Sequence, residues 1–220
     1  MKKLVIFDLD GTLVNSILDI AESCNHALHE MGYAPHSLTT YHYLVGNGVS
    51  KLIERALPEE ARRQRFIEAM RTRFTEYYNE HLLDNTTAYP GIPEVLDELK
   101  ARGIKLAVAS NKYQAATEKI VTSLFPDIEW DAIMGQNDMT PLKPDPSVVF
   151  NILQKIPTPK SEVLYVGDSA VDMETAYRAC VDSVGVSWGL RGRNELANSR
   201  ATFIVDDPDE ILSCLNGPQF

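Results

Sequence analysis

Four short polar segments of this 220-residue chain carry the residue types that could do chemistry. Three follow directly after apolar runs and the fourth precedes a predicted helix; they are Asp8-Leu9-Asp10-Gly11-Thr12, Ser110-Asn111-Lys112, Gly167-Asp168-Ser169 and Lys143-Pro144-Asp145-Pro146. In a doubly wound sheet, ligands bind beyond the carboxyl ends of the strands. If the apolar runs are strands of such a sheet, the four segments share one cleft.

The acids of these segments predict a magnesium site. Asp8, Asp10 and Asp168 would place three carboxylates in one small volume, where their repulsion is costly unless a cation is bound or protons are taken up. Alternate strand residues point to the same side, so Asp8 and Asp10 would project together. Because Mg²⁺ typically uses one or two carboxylates besides water and a substrate phosphate, one acid is left for another task.

This arrangement indicates phosphoryl transfer through a covalent intermediate. Asp8 would attack phosphorus, and Asp10 would protonate the leaving oxygen and later accept a proton from water. The Lys143 ammonium, the Ser110 hydroxyl and nearby backbone amides would offset charge on the transferred group. Asp8, Asp10, Ser110 and Lys143 are therefore the candidate catalytic residues.

The four segments, together with Asp172, resemble the motifs of the haloacid dehalogenase superfamily, in that family's order and over nearly the whole chain. The resemblance implies that the first acid is the nucleophile and the second the acid and base, while the serine and lysine hold the phosphoryl group. It also implies magnesium ligation by Asp8, the main-chain carbonyl of Asp10, Asp168, and Asp172 through water.

Three neighbouring residues extend the candidate site. Asp172 would suit the first turn of a helix as well as a metal site, because acids also serve there as caps and dipole partners. Thr12 and Asn111 belong to the same segments as the candidate catalytic residues, and we expect both to bind substrate.

Apolar runs alternate with helical patterns along most of the chain. Short runs predict buried parallel strands at 3–9, 104–109, 161–166, 183–186 and 202–205. Helical periodicity predicts helices at 92–101, 114–124, 146–155, 171–180 and 208–215. The alternation predicts an α/β fold built on a doubly wound, Rossmann-like parallel sheet.

One region breaks this alternation. Residues 15–84 keep a helical apolar period with no strand-like run, and turn signals bracket them. We therefore expect a catalytic core of residues 1–14 and 85–220, with an inserted α-helical cap at 15–84 that selects the substrate.

Asp10 argues against a dehalogenase, whose reaction needs no proton for the leaving group. The segments at 45–49 and 185–189 resemble those of phosphoglycolate phosphatases. Glycines at a helix N-terminus leave backbone amides open to an anion such as a two-carbon carboxylate, so Gly46, Asn47 and Gly48 are predicted to bind substrate. The favoured reaction is hydrolysis of 2-phosphoglycolate or a similarly small phosphomonoester.

Other functions stay open. A sugar-phosphate mutase like β-phosphoglucomutase would use the same nucleophile, and pyrophosphatases carry a similar cap. A phosphonatase would need a cap lysine for a Schiff base, but Lys51 lies on a charged helix and is better explained as solvated. A phosphate-sensing regulatory module is the non-enzyme alternative, although such proteins typically lose an essential acid that is present here.

The amino-acid composition limits which molecules the protein is expected to bind. The formal net charge of −10 disfavours nucleic acid and anionic membranes, so the expected partner is a small anionic phosphate ester captured by local positive charge. Asp8 and Asp10 interrupt the first apolar run too early for a secretory signal, which favours a cytoplasmic protein. We expect a monomer or a homodimer. The wide spacing of Cys24, Cys180 and Cys214 predicts reduced core thiols.

Overall fold

A parallel sheet forms the centre of the protein. The computed structural model describes residues 1–137 and 139–217. The strands found there are β1 (Leu4–Phe7), β2 (Val14–Asn15), β3 (Thr87–Ala88), β4 (Lys105–Tyr113), β5 (Ala132–Gln136), β6 (Val163–Gly167), β7 (Asp182–Val186) and β8 (Phe203–Val205). Within this part of the chain, six strands pair in the order β5-β4-β1-β6-β7-β8, all parallel, while β2 and β3 form a separate antiparallel pair.

The sheet is accompanied by α-helices, some of which cover its two faces. They are α1 (Ile17–Glu30), α2 (Leu38–Leu44), α3 (Gly48–Ala56), α4 (Gln64–His81), α5 (Ile92–Ala101), α6 (Gln114–Leu124), α7 (Ser147–Lys155), α8 (Ala170–Ala179) and α9 (Arg193–Ala197). Val5 and Phe7 pack with α5 and α6 on one face, whereas Leu4 and Ile6 pack with α7 and α8 on the other. Successive strand residues point to opposite faces, so β1 is buried on both.

Helices α1 to α4 follow β2 and precede β3 along the chain and form one helical segment. The apolar stripes predicted for them are buried, including Ile20, Cys24 and Leu28 on α1 and Leu52 and Ile53 on α3. Pairing of β2 with β3 brings the two ends of this helical segment together. Within the described residues, no helix combines the length and the apolar character that a membrane crossing would require.

The predicted doubly wound sheet is confirmed, but some elements were missed. Strand β5 reads Ala-Ile-Met-Gly-Gln, with one β-branched residue, and it lies at the sheet edge, so its sequence signal is weak. Strands β2 and β3 are two residues each and give no periodicity. Short helix α9 was also missed, and the predicted C-terminal helix is a 3₁₀ helix at Pro208–Asn216.

The expectation of three core thiols was wrong for one cysteine. Cys24 and Cys214 are buried, whereas Cys180 is exposed. Cys180 is the C-cap of α8, with a left-handed backbone at φ 58°, so it lies at the end of the helix where the chain turns and not in the packed helix interior.

Candidate functional site

The register of the central strands brings the polar segments to one edge of the sheet. Phe7 of β1 lies opposite Val108 of β4 and Val166 of β6. The residues that follow therefore emerge side by side at the carboxyl ends of the strands, where doubly wound folds bind ligands. Asp8 and Asp168 follow β1 and β6 there, whereas Ser110, predicted to follow its strand, lies within β4 just after Ala109, where the pairing with β5 shifts register.

Lys143 is the central cation of this edge. Its buried Nζ lies 2.8 Å from Oδ1 of Asp8 and 2.7 Å from Oδ1 of Asp172, and it donates to the carbonyl of Ala109 at 2.9 Å. Asn111 fixes the lysine backbone, because its Oδ1 accepts from the Lys143 amide at 2.8 Å and its Nδ2 donates to the Lys143 carbonyl at 3.2 Å. The predicted lysine thus joins two of the predicted acids.

Asp168 and Asp172 complete the acidic cluster. The backbone amide of Leu190 donates to Oδ2 of Asp168 at 2.7 Å. Asp172 forms a capping box with Ser169 at the start of α8, and both residues contribute a side-chain bond. The capping role that the sequence left open for Asp172 is therefore present, together with its contact to Lys143.

Two glycines allow other backbone to approach Asp168. A Cβ atom on Gly11, which has φ +84°, would lie 2.3 Å from Oδ2 of Asp168. A Cβ atom on Gly189 would lie 2.3 Å from both the Cβ of Asp168 and the carbonyl oxygen of Gly11. A larger residue at either position would displace the carboxylate, so the close packing of both loops depends on glycine.

Burial and repulsion shape the ionisation of the cluster. Burial, aided by the charge of Asp172, raises the pKa of Asp8 from its ordinary 3.8 to about 7. Burial and the same neighbour raise the pKa of Asp168 well above its ordinary value. Burial disfavours charge on Lys143, but Asp172 and Asp8 more than offset this and raise the lysine pKa well above normal. The three carboxylates of the cluster therefore carry more negative charge, when ionised, than the single Lys143 ammonium can balance.

The cluster fits a hard divalent cation. Carboxylate oxygens of Asp8, Asp168 and Asp172 lie within 4.8 Å of one another. Buried carboxylates that repel each other are stabilised by a cation, and oxygen-only donors suit Mg²⁺. Both oxygens of Asp172 already bind other groups, Lys143 on Oδ1 and Ser169 on Oδ2, so Asp8 and Asp168 have the freer oxygens.

Asp10 is held by residues to which the sequence assigned no role. Its Oδ2 lies 3.0 Å from Nζ of Lys112, and its Oδ1 accepts a hydrogen bond from Ser16. The same ammonium donates to the hydroxyl of Tyr78 on α4 at 2.9 Å. The charge of Asp10 and the contact with Tyr78 overcome burial and raise the pKa of Lys112. A lysine within a polar strand end was a visible signal for Lys112, whereas the contact with Tyr78 required the fold.

A cavity of about 60 Å³ lies over this edge. The sheet edge contributes its polar residues, and the helical segment contributes an apolar roof that includes Ile20, Leu52 and Phe74. Gly46 and Gly48 also line the cavity, as does Arg191 from the loop after β7. The arrangement can therefore hold a small anion between a cationic and acidic floor and an apolar roof.

Of the remaining residues predicted for the site, some line the cavity and others lie behind or beside it. Ser110 and Asn111 line it, and Ser110 Oγ accepts from the amide of Lys112 at 3.2 Å. Thr12 is fully buried behind the lining, and its hydroxyl has no hydrogen-bond partner among the described residues. The Asn47 side chain accepts from Arg55 at 2.8 Å. Thr12 and Asn47 are thus near the site without lining it.

Two further side chains, Trp188 and Lys51, have structural contacts outside the cavity. Trp188 donates its indole N–H to the carbonyl of Thr12 at 3.2 Å and packs against the hydrophobic core, without lining the cavity. Lys51 is exposed and pairs with Glu54 one helical turn away at 2.6 Å. This solvated pair agrees with the interpretation of Lys51 as a surface charge.

Comparison with known proteins finds relatives that match along nearly the whole chain. The family model described as haloacid dehalogenase-like hydrolase matches residues 5–186. A phosphoglycolate phosphatase from Pasteurella multocida is 33% identical over 97% of this chain and 98% of its own length. One from Aquifex aeolicus is 34% identical over 97% of each chain.

Solved structures share the fold of this chain over nearly its whole length. A protein from Lactobacillus delbrueckii subsp. bulgaricus, provisionally named a phosphoglycolate phosphatase, superposes with a TM-score of 0.92 at 29% identity and covers 99% of this chain and all of its own. A predicted phosphoglycolate phosphatase from Haemophilus somnus gives a TM-score of 0.89 at 32% identity, over 96% of this chain and 97% of its own.

Proposed function

This chain belongs to the haloacid dehalogenase-like hydrolase family, and from that premise we propose that it is a magnesium-dependent phosphatase that hydrolyses 2-phosphoglycolate to glycolate and phosphate. One observation carries the proposal. Asp8 and Asp10 both line a small cavity, each beside a buried lysine, and Asp8 also belongs to the acidic cluster. A nucleophile, a proton donor and a cation site are thereby available to one phosphoryl group.

In the proposed reaction, a carboxylate oxygen of Asp8 forms a bond to phosphorus while the bond from phosphorus to the ester oxygen breaks. Asp10 gives its proton to that leaving oxygen, so glycolate departs neutral at its hydroxyl. Asp10 then takes a proton from water as the water oxygen attacks phosphorus and the bond to Asp8 breaks. During both steps the Lys143 ammonium offsets the charge of the phosphoryl oxygens, and the Ser110 hydroxyl donates a hydrogen bond to one of them.

The acidic cluster would hold the metal through Asp8, the main-chain carbonyl of Asp10, and Asp168, with Asp172 contacting it through water. When bound, Mg²⁺ offsets the charge of these acids and of the phosphoryl group, so that a carboxylate can approach a phosphate. The engagement of both Asp172 oxygens by Lys143 and Ser169 supports the water-mediated role.

Residues 15–84 would act as a cap domain over a catalytic core of residues 1–14 and 85–220. The paired strands β2 and β3 lie at the junction between the two parts. Movement of the cap would admit substrate and expel product, and its apolar roof would exclude water during transfer to Asp8.

The choice of substrate rests on the cavity and on the relatives. The apolar roof formed by Ile20, Leu52 and Phe74 favours a short ester over a hexose phosphate, whose ring hydroxyls would need hydrogen-bond partners. Relatives named phosphoglycolate phosphatase match over nearly their whole length. The backbone amides at Gly46 to Gly48 and the Asn111 side chain are the proposed contacts for the rest of the substrate, whereas Thr12, buried behind the lining, would support the site without touching substrate.

The proposal is tested by measuring phosphate release from 2-phosphoglycolate, pyrophosphate and several sugar phosphates, with Mg²⁺ and with chelator. We expect 2-phosphoglycolate to give the highest kcat/KM and chelator to abolish turnover. Formation of glucose 6-phosphate from β-glucose 1-phosphate, with little phosphate released from any ester, would instead identify a mutase. Preference for pyrophosphate would identify a pyrophosphatase, and binding of phosphate without turnover a sensor.

A further inference from the structure

We propose that Arg191 recognises a second anionic group on the substrate, which makes this site selective for phosphorylated small carboxylic acids. The inference rests on the proposed function and deepens it. It concerns a residue that the sequence did not single out, in the loop between β7 and α9.

The first observation is the imbalance of charge around Arg191. Lys143 pairs with Asp8 and Asp172, and Lys112 pairs with Asp10. Among residues 1–137 and 139–217, Arg191 also lines the cavity but forms no ion pair. Its partners are neutral carbonyls, so its positive charge is available to a ligand.

The second observation is that the guanidinium is already fixed in place. Nη1 of Arg191 donates to the carbonyl of His42 at 2.9 Å, and Nη2 donates to that of Val45 at 2.6 Å. These two bonds use part of the five donors that an arginine carries. A guanidinium held by two neutral acceptors can therefore offer its remaining N–H groups to a carboxylate with little loss of side-chain entropy.

The third observation is that the loop carrying Arg191 contacts both the acidic cluster and the glycine loop at 45–48. The adjacent amide of Leu190 binds Asp168, whereas the Arg191 side chain reaches the cap. A Cβ atom on Gly46 would lie 3.1 Å from Nη2 of Arg191, so the backbone of that glycine lies beside the guanidinium. An anionic group of a short ester bound at Asp8 would meet both the cation and the loop.

The consequence is a distinction between esters that differ in one group. An ester with a carboxylate gains charge-assisted hydrogen bonds to Arg191, whereas one with a hydroxyl at the same position leaves the guanidinium charge unpaired. Such bonds correspond to roughly 10- to 100-fold in binding. Without Arg191, both esters would be hydrolysed with similar efficiency.

The test compares 2-phosphoglycolate with 2-hydroxyethyl phosphate, in which CH₂OH replaces the carboxylate. Arg191→Gln should lower kcat/KM for 2-phosphoglycolate about 10- to 100-fold, mainly through KM, and change that for 2-hydroxyethyl phosphate less than about threefold. Arg191→Lys, which keeps the charge but not the fork, should lose less. Arg193→Gln is the matched control, because Arg193 is exposed and pairs with Asp206.

Equal losses for both esters in Arg191→Gln would show that the arginine only holds the cap loop, and unchanged kinetics would show no role; either result overturns the inference while leaving the phosphatase intact. If the unaltered protein hydrolyses neither ester, the proposed function fails. Calorimetric binding of 2-phosphoglycolate in the presence of Mg²⁺ then decides the inference. Binding weakened at least tenfold by Arg191→Gln supports it, whereas equal or absent binding overturns it.

Discussion

The ammonium of Lys112 lies 3.0 Å from Oδ2 of Asp10, at the ends of the neighbouring strands β4 and β1. The same ammonium also binds Tyr78 of the helical segment. The acid that we propose as proton donor therefore shares a cation with α4, which belongs to the proposed cap. Its electrostatic surroundings depend on where α4 lies, which links cap position to the proposed proton transfer.

Replacement of Lys112 by methionine should weaken both folding and turnover. Asp10 would lose its cation in a largely buried position, so we expect the free energy of unfolding to fall by about 2 to 4 kcal/mol and kcat to fall about 10- to 100-fold. Urea unfolding and steady-state kinetics measure the two effects. Lys105→Met is the control, since Lys105 is exposed on the same strand. Unchanged kcat in Lys112→Met would separate Lys112 from the chemistry.

Tyr78→Phe should have a smaller effect of the same sign. It removes one acceptor from the buried Lys112 ammonium, which we expect to cost about 1 to 2 kcal/mol of unfolding free energy. Burial raises the pKa of Tyr78 to about 12, so its hydroxyl is neutral under assay conditions. Tyr113→Phe serves as the comparison, because the Tyr113 hydroxyl makes an exposed bond to Asn79. Equal destabilisation by both substitutions would contradict a special role for the buried contact.

Asp8→Asn should abolish turnover without unfolding the protein. An amide oxygen is a poor nucleophile, and we expect a loss of at least about 10³-fold in kcat. Asp97→Asn, at an exposed position on α5, should leave kcat unchanged. The measurement is phosphate release, with circular dichroism as the check on folding. Substantial activity in purified Asp8→Asn would remove Asp8 as the nucleophile.

Stabilisation by Mg²⁺ should increase with pH. Burial raises the pKa of Asp8 to about 7, so the folded metal-free protein binds a proton that the unfolded chain releases above its ordinary value of 3.8. This contribution to stability is complete at low pH and is lost as pH rises through about 7. Because Mg²⁺ binds the ionised carboxylate, the rise in Tm that it causes should be larger at about pH 8 than at about pH 5.5. Scanning calorimetry measures it, and a rise independent of pH would contradict the assignment.

Loss of the Asp19 carboxylate should weaken the junction at which the chain leaves the helical segment, at Asn85 and Thr86. Asp19 is buried on α1 and accepts bonds from Asn85 and Thr86, including both backbone amides, at 2.6 to 3.1 Å. Asp19→Ala would leave these donors without partners, and we expect a loss of about 2 to 4 kcal/mol in chemical unfolding. His29→Ala, at an exposed position on the same helix, should change stability by less than about 0.5 kcal/mol. Similar losses in both would show that the junction is not held by Asp19.

The sequence by itself determined the strand ends that carry Asp8, Asp10, Ser110 and Asp168, and the helical character of the insertion. Both are local properties, because apolar period and chain order fix which residues end a strand and which face of a helix is buried. Lys143 was found in the same way, since its segment precedes a helix and completes a known order of motifs.

Only the tertiary structure decided which distant side chains meet. The pairs Lys112 with Tyr78 and Arg191 with Val45 join residues far apart in sequence, and no period or motif encodes their contact. Edge strand β5 was missed for a related reason, because its stability comes from pairing with β4 and not from its own residue pattern. The raised pKa of Asp8 likewise arises from burial and from charges that the fold brings together.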